Sequence, residues 1–249
     1  MLELRANPGP TGRLLRQMLT ERGLLTGVAR GVVNYGYGGP SSLPALNARA
    51  GTFNKLEELE LLRAKGVVTV PFSRSPRDLT APVLGRSLHH TRGNDIIVYR
   101  VRGVPHRRHD FYTQLIDKQQ EFRIWTFRKT VIGCYEKILS YPAKLGRRGR
   151  SREVWNYRNG YAYLFRRPDA VPENLRQLAR DAVDAVGLDF GAVDLVVDRR
   201  GVGWVLEINS APGVEDRRQG FTSLVNHIER WARNGFRRRN GEVRNVNET

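Results

Sequence analysis

The stretch that decides the fold lies toward the C-terminal end and reads GLDFGAVDLVVDRRGVGWVLEINSAPG over residues 187–213. Two apolar runs within it, residues 193–197 and 204–208, flank the turn-forming sequence RRG at residues 199–201. Short apolar runs separated by turn residues predict two antiparallel strands joined as a hairpin. Polar side chains interrupt both runs, and their positions indicate the chemistry of the protein.

A hairpin centred between Arg200 and Gly201 places Asp194 opposite Glu207, and strand alternation puts Asn209 on the same side. Two carboxylates and an amide oxygen then converge on a strand pair that otherwise has a core composition. Adjacent carboxylates repel, and their desolvation costs several kcal/mol, so we expect a cation between them. Oxygen ligands suit Mg²⁺ or Mn²⁺. The alternative, three solvated residues on an exposed sheet face, stays open at this point.

Helix signals dominate the N-terminal third of the chain. Apolar residues at helical spacing predict a helix from Thr11, as N-cap, to Gly23. A second helix is predicted after Asn54, with Glu57 completing a capping box and Gly66 ending the helix. The segments after these helices are a glycine-rich stretch over residues 31–40 and a short strand over residues 67–71. This alternation of helix and strand favours an α/β layer over a helical bundle.

Strand signals dominate the middle of the chain, between residues 81 and 137. The candidate strands are residues 82–86, 95–101, 111–116, 121–127 and 131–137. A basic run at residues 147–152 predicts an exposed loop, and a helix is predicted between Pro172 and Gly187. A last amphipathic helix covers residues 221–231.

Composition narrows the class of protein. The 249 residues carry 42 Lys and Arg against 25 Asp and Glu, a formal net charge of +17. Such an excess of positive charge favours a polyanionic partner, namely nucleic acid, a nucleotide or an acidic peptide. A single cysteine, Cys134, excludes an internal disulfide framework, and no apolar run is long enough to span a bilayer. We therefore expect a cytoplasmic globular protein without a membrane partner.

Residues 187–213 resemble the C-terminal signature of the ATP-grasp superfamily, in particular its ribosomal-protein-glutamate-ligase-like branch and the unassigned ATP-grasp proteins of bacteriophages. The resemblance covers about residues 30–215 and implies an α/β (α+β) fold in which two subdomains sandwich ATP. It gives Asp194, Glu207 and Asn209 the role of holding Mg²⁺ against the ATP phosphates. A phage origin would place the protein in the host cytoplasm.

Further site residues follow from the same resemblance. The segment FYTQLIDKQQEFR, residues 111–123, is similar to the hinge strand of the family and to its acidic-x-Arg strand. The implied nucleotide contacts are Gln114, Leu115 and Ile116 for adenine, Lys118 or Glu121 for the ribose side, and Lys137 as a further ATP-binding residue. The implied catalytic residues are Arg123, which meets the phosphates or an acyl phosphate, together with Asn156 and Arg158.

The phosphate loop departs from the pattern of the family. Relatives usually carry a lysine where this chain has Arg86, followed by a loop richer in glycine and serine. Here the loop offers His89 and His90 as ATP-binding candidates. Arginine can still neutralise phosphate oxygens through paired hydrogen bonds.

The predicted organisation has three parts. Residues 1–75 form a small N-terminal α/β part, and residues 76–234 form the ATP-grasp domain. Within that domain, residues 76–117 are a small lid-like subdomain and residues 118–234 a C-terminal subdomain. Residues 235–249 are predicted to be a disordered basic tail because their apolar content is low.

Two functions from different classes remain open. The resemblance implies a ligase that activates a carboxylate as an acyl phosphate for attack by an amine or another nucleophile, with ATP and Mg²⁺ as cofactors. The rival is an ATP-binding protein, with weak ATPase activity or none, that holds DNA or RNA. The candidate nucleic-acid-binding residues are Arg147, Arg148, Arg150, Arg237, Arg238 and Arg239. The carboxylate and amine substrates cannot be identified from the sequence, since the fold alone does not specify an acceptor.

Overall fold

The computed structural model describes residues 1–88, 97–100, 109–142, 153–213 and 218–237. The described residues form four α-helices and three β-sheets, which confirms the predicted α/β class. The helices are α1 (Pro10–Glu21), α2 (Lys55–Ala64), α3 (Glu173–Ala185) and α4 (Arg218–Arg233). The strands are β1 (Leu2–Ala6), β2 (Gly31–Tyr35), β3 (Ala45–Leu46), β4 (Phe72–Ser73), β5 (Val83–Arg86), β6 (Ile97–Tyr99), β7 (Phe111–Gln114), β8 (Lys118–Phe127), β9 (Thr130–Leu139), β10 (Tyr161–Arg166), β11 (Phe190–Asp198) and β12 (Gly203–Asn209). None of the described helices combines the length and apolar character needed to cross a bilayer.

The N-terminal part is a parallel sheet of order β1-β2-β3. Neither β1 nor β2 is predicted from the sequence pattern, and the glycine-rich stretch over residues 31–40 contains β2, all of whose residues are buried. Helix α1 begins at Pro10 with Gly9 as N-cap, earlier than the predicted cap at Thr11, because proline suits the first turn of a helix. Apolar residues of α1 and α4 belong to one core cluster, so this part shares its core with the C-terminal elements.

Helix α2 confirms the predicted capping box. The Asn54 side chain accepts the amide of Glu57, and the Glu57 carboxylate accepts the amide of Asn54. Gly66 follows the helix at a φ of +73°, a left-handed conformation that glycine adopts readily. The strand predicted next is reduced to one parallel bridge between Thr69 and Val205, at the outer edge of β12.

The second sheet has the order β4-β7-β5-β6 and is antiparallel throughout. Strands β5 and β7 lie inside the predicted ranges and are shorter than them, and β6 is described over three residues. Arg86 ends β5 opposite Phe111 on β7. This small sheet therefore brings the predicted phosphate-loop arginine close to two carboxylates, Glu207 of β12 and Glu58 of α2.

The central sheet has the order β10-β9-β8-β11-β12, and every neighbouring pair is antiparallel. One face, which includes Ile124 and Cys134, packs in a core cluster with residues of α2 and α3. On the other face, Trp125 and Tyr135 pack with residues of α4. Burial raises the pKa of the Cys134 thiol to about 12, in keeping with the small core residue expected from the sequence.

Residues 235–237, which the sequence analysis assigns to the tail, pack on the fold. The Phe236 ring meets Trp231 edge-on, and its amide donates to the Trp231 carbonyl. The exposed Arg237 contributes its carbonyl, which accepts hydrogen bonds from Trp231 and Arg128. The remaining tail residues, 238–249, lie outside the described residues.

Asn47 joins the N-terminal part to the central sheet. Its side chain is fully buried, accepts the amides of Asp189 and Phe190, and donates to the Phe190 carbonyl. Its φ of +54° suits asparagine better than alanine. We expect Asn47→Ala to destabilise the fold by about 2–4 kcal/mol, because buried backbone groups lose their partners. Urea denaturation measures this cost, and a loss below about 1 kcal/mol would contradict it.

Candidate active site

The predicted site residues of the central sheet share one face. Strand pairing places Arg123 of β8 opposite Asp194 of β11 and opposite Tyr135 of β9, and Glu121 lies two residues from Arg123 on the same face of β8. The polar residues on this face are Glu121, Arg123, Lys137, Tyr163, Asp194, Glu207 and Asn209. The apolar half of the same face, around Trp125, lies under α4. The polar half forms the candidate site.

The predicted pairing of Asp194 with Glu207 is confirmed, but the register of the two strands next to the turn differs from the expected one. Near the turn, Leu195 pairs with Val205, a register centred on Arg200. The register then shifts by one residue at a β-bulge, which brings Glu207 rather than its neighbour opposite Asp194. The bulge therefore sets which side chains face each other at the site.

Asp194 forms a two-pronged ion pair with Arg123. The Arg123 Nε and Nη2 atoms each lie 2.5 Å from a different carboxylate oxygen of Asp194. Burial disfavours the charge on Arg123, but the facing Asp194 carboxylate and the nearby Tyr163 and Glu207 together outweigh burial and raise the pKa of the guanidinium. The guanidinium also lies 4.9 Å from the ring centre of Tyr163. Arg123 is thereby fixed in the middle of the site.

Glu207 is compensated by a cation that the sequence analysis missed. Lys55, the first residue of α2, places its Nζ atom 3.0 Å from Glu207 Oε2. Lys55 is the main reason that the pKa of Glu207 lies well below its ordinary range. Asn209 Nδ2 donates to Glu207 Oε1 at 3.4 Å. The two carboxylates thus meet side-chain cations, where the sequence analysis expects a metal ion alone.

The donor set still suits a hard cation. Asp194 and Glu207 are cross-strand partners with Asn209 two residues on, so two carboxylates and an amide lie together. Within the described ranges, no three His, Cys, Asp or Glu side chains cluster as metal ligands. A metal here would exchange places with Arg123 and Lys55, and the magnesium assignment stays a prediction.

A second ionic cluster surrounds Glu121. This buried carboxylate accepts the Nζ atoms of Lys118, at 2.5 Å, and of Lys137. Despite burial, the two ammonium groups lower the pKa of Glu121. Lys118 also lies 4.7 Å from the ring centre of Trp155, and Lys137 lies 5.1 Å from that of Tyr163. The structure thus brings together the two predicted ribose-side residues and the further ATP-binding lysine.

Segment 114–116 connects the small sheet to β8. The Gln114 amide donates to the Pro71 carbonyl at 2.8 Å, and the Leu115 amide donates to the Pro82 carbonyl at 2.9 Å. Half-buried Ile116 packs against the core cluster that includes Ile124. These contacts hold the segment in place between the two sheets. Its contact with adenine stays a prediction.

The second predicted phosphate segment forms a short 3₁₀ turn. Asn156 begins it, and its Oδ1 atom accepts the Asn159 amide at 2.9 Å. Asn156 therefore has a structural task in this turn, and the side chain of Arg158 is outside the described part. The other predicted site residues outside the described residues are His89, His90, Arg147, Arg148, Arg150, Arg238 and Arg239.

Glu58 is the second site residue that the sequence analysis missed. It is 4 % exposed, and its Oε1 atom accepts the Ile208 amide at 2.8 Å. Burial raises the pKa of Glu58 to about 7, although Lys55 and the Ile208 amide oppose that rise. A signal was present in the sequence, since Glu58 interrupts the buried face of α2 between Leu56 and Leu59.

This raised pKa predicts a pH-dependent stability. The folded state holds the Glu58 proton more tightly than the unfolded state, so the stability contribution of Glu58 falls as pH rises from about 4.5 to about 7. The total loss is about 3 kcal/mol. Glu58→Gln should remove this slope, whereas the exposed Glu60→Gln should leave it. Denaturation from pH 4 to 8 measures both, and parallel profiles for wild type and Glu58→Gln would contradict the prediction.

No protein-family profile and no curated protein matches the chain. Among solved structures, the ATP-grasp ligase PsnB complexed with a minimal precursor superposes with a TM-score of 0.66 at 11% identity, over 92% of this chain and 98% of that one. The macrocyclase MdnC of Microcystis aeruginosa MRC, bound with precursor peptide MdnA, gives 0.58 at 13% identity, over 94% and 99%. A Bacillus anthracis D-alanine–D-alanine ligase complexed with ATP gives 0.55 at 12%, over 94% and 97%. Since these likenesses span nearly the whole of each chain, the chain has the ATP-grasp fold.

Proposed function

We propose that the protein is an ATP- and Mg²⁺-dependent ligase that joins a carboxylate to an amine or another nucleophile. The observation that carries this proposal is the polar half-face of the central sheet. Asp194, Glu207 and Asn209 lie together there, beside Arg123 and Lys137. A solved PsnB complex holds Mg and ADP, and the Bacillus anthracis ligase holds ATP, which supports the same cofactors here.

The roles of the residues follow from their charges. Asp194, Glu207 and Asn209 would hold Mg²⁺, which offsets triphosphate charge and orients the γ-phosphate for attack by the carboxylate. Arg123 and Lys137 would then bind phosphate oxygens, and Arg86 would do so from the small sheet. Lys118 and Glu121 would face the ribose side of the nucleotide. Attack by the substrate carboxylate on the γ-phosphate would release ADP and form an acyl phosphate, and attack by the amine on that carbonyl would release phosphate and form the amide, so no protein nucleophile is needed.

Calorimetry with a non-hydrolysable ATP analogue, with and without Mg²⁺, tests the cofactor part of the proposal. Release of ADP and phosphate, followed with panels of carboxylates and amines, tests the ligase part. Peptides belong in the acceptor panel, because PsnB and MdnC are both solved with precursor peptides. Metal-independent nucleotide binding, or turnover that no acceptor stimulates, would refute the respective part.

Nucleic-acid binding is the second proposal, and the net charge of +17 favours it. A polyanion releases counterions on binding a basic surface, so log K should fall linearly with log[salt], by roughly 0.7–0.9 per phosphate contacted. Truncation after Phe236 should reduce that slope and leave ATP binding unchanged. Fluorescence titrations with single- and double-stranded DNA and RNA measure it. The absence of any complex at low salt would refute this proposal.

A further inference from the structure

The backbone groups at the outer edge of β12 have two different kinds of hydrogen-bond partner, main chain and side chain. Strand β12 ends the central sheet, so its backbone groups on the side away from β11 need partners from elsewhere. Around Val205, main chain supplies them, since the Val205 amide donates to the Val68 carbonyl and the Val70 amide donates to the Val205 carbonyl. Beyond the bulge, at Ile208, the partner is the Glu58 side chain.

This side-chain contact lies at the centre of the predicted metal set. Ile208 separates Glu207 from Asn209, and its amide points outward to Glu58 Oε1 at 2.8 Å. That amide belongs to the peptide between Glu207 and Ile208, so its orientation sets the direction of the Glu207 side chain directly and that of Asn209 through the next peptide of the strand. A shift of the peptide would move both candidate ligands together.

Helix α2 also contacts residues 207–209 of β12 through a charged side chain. Lys55 and Glu58 lie one turn apart on α2, and Lys55 Nζ contacts Glu207 while Glu58 contacts Ile208. Arg86, from the small sheet, is also buried near both acidic groups. Helix α2 therefore contacts both the Glu207 carboxylate, through Lys55, and the Ile208 backbone, through Glu58.

We infer that Glu58 is a positioning residue for the metal set, because its carboxylate holds the Ile208 amide and thereby aims Glu207 and Asn209 at one point. This inference rests on the proposed function. Residues that support metal ligands in this way commonly change metal affinity or activity by 10- to 100-fold when replaced.

Two opposite conservative changes test the inference. Glu58→Gln keeps the reach and an acceptor oxygen but loses the charge, whereas Glu58→Asp keeps the charge but is one methylene too short. We expect the Mg²⁺ affinity, titrated in the presence of the ATP analogue AMP-PNP, to stay within about threefold in Glu58→Gln and to fall about 10- to 100-fold in Glu58→Asp. Exposed Glu60→Asp is the matched control on the same helix and should change nothing.

A second readout, hydrogen exchange of the Ile208 amide by NMR, needs no nucleotide. Exchange should be at least about tenfold faster in Glu58→Asp than in wild type or Glu58→Gln. Thermal unfolding of each variant identifies a purely structural effect, which would lower the melting temperature and leave the Mg²⁺ affinity of the folded protein unchanged.

The results distinguish a failure of the proposed function from a failure of the inference about Glu58. Wild type without Mg²⁺-dependent nucleotide binding would refute the proposed function, and the inference with it. Normal binding by wild type together with equal Mg²⁺ affinities in Glu58→Gln and Glu58→Asp would overturn the inference alone. A loss above tenfold in Glu58→Gln would overturn it as well, even if Glu58→Asp does not fold.

Discussion

Glu207→Gln is expected to keep the fold and to lose most Mg²⁺-dependent nucleotide binding, with an affinity at least about 100-fold lower. The amide is isosteric with the carboxylate and still accepts a hydrogen bond from Lys55, which lies 3.0 Å away in wild type. It lacks the negative charge that a hard cation requires in its oxygen ligands. Calorimetry of AMP-PNP binding across a Mg²⁺ series measures the loss.

Lys55→Met tests the same metal assignment from the side of the cation that contacts Glu207. It removes the ammonium that a metal would displace from Glu207, so the Mg²⁺ affinity should stay unchanged or increase. Stability should fall instead, because buried Glu58 and partly buried Glu207 lose a neighbouring cation. If Glu207→Gln bound Mg²⁺ and AMP-PNP like wild type, the metal assignment would be wrong.

Short sequence patterns were enough to predict a helix whose capping residues lie next to it in the sequence. The capping box of Asn54 and Glu57 predicts α2 correctly because both hydrogen bonds lie within four residues. By contrast, β2 is a run of five buried residues whose strand character comes from pairing with β1 and β3. Strand β10, Tyr161–Arg166, was missed for the same reason, since its only strand partner among the described residues is β9.

In the site, too, contacts between residues near in sequence were predicted and contacts between distant residues were not. The pairing of Asp194 with Glu207 was predicted correctly although the predicted turn centre was half a residue off, because the bulge shifts the register by one residue between the turn and the site. The contact of Glu58 with Ile208 spans 150 positions and joins a helix to a sheet edge, so no local pattern contains it. The register shift between Asp194 and Leu195 was equally hidden, because the one residue that it leaves without a strand partner, Leu206 of β12, belongs to a continuous apolar run.

Arg123→Ala is expected to act on stability and on binding at once. In the folded protein the change leaves Asp194 buried without its partner, which costs about 3–5 kcal/mol of unfolding free energy. The additional change Asp194→Asn should recover part of that cost, because it removes the uncompensated charge. Arg167→Ala is the matched control, since the Arg167–Asp169 pair is exposed and exposed ion pairs contribute little to stability.

The binding effect of Arg123→Ala distinguishes a phosphate contact from a structural ion pair. Loss of a charge-assisted hydrogen bond should weaken AMP-PNP binding by roughly 10- to 100-fold and leave adenosine binding within about threefold. Both ligands are titrated against variant protein that circular dichroism shows to be folded. Equal losses for AMP-PNP and adenosine would limit Arg123 to holding Asp194. A selective loss for AMP-PNP would assign the guanidinium to the triphosphate, because adenosine carries no phosphate for it to bind.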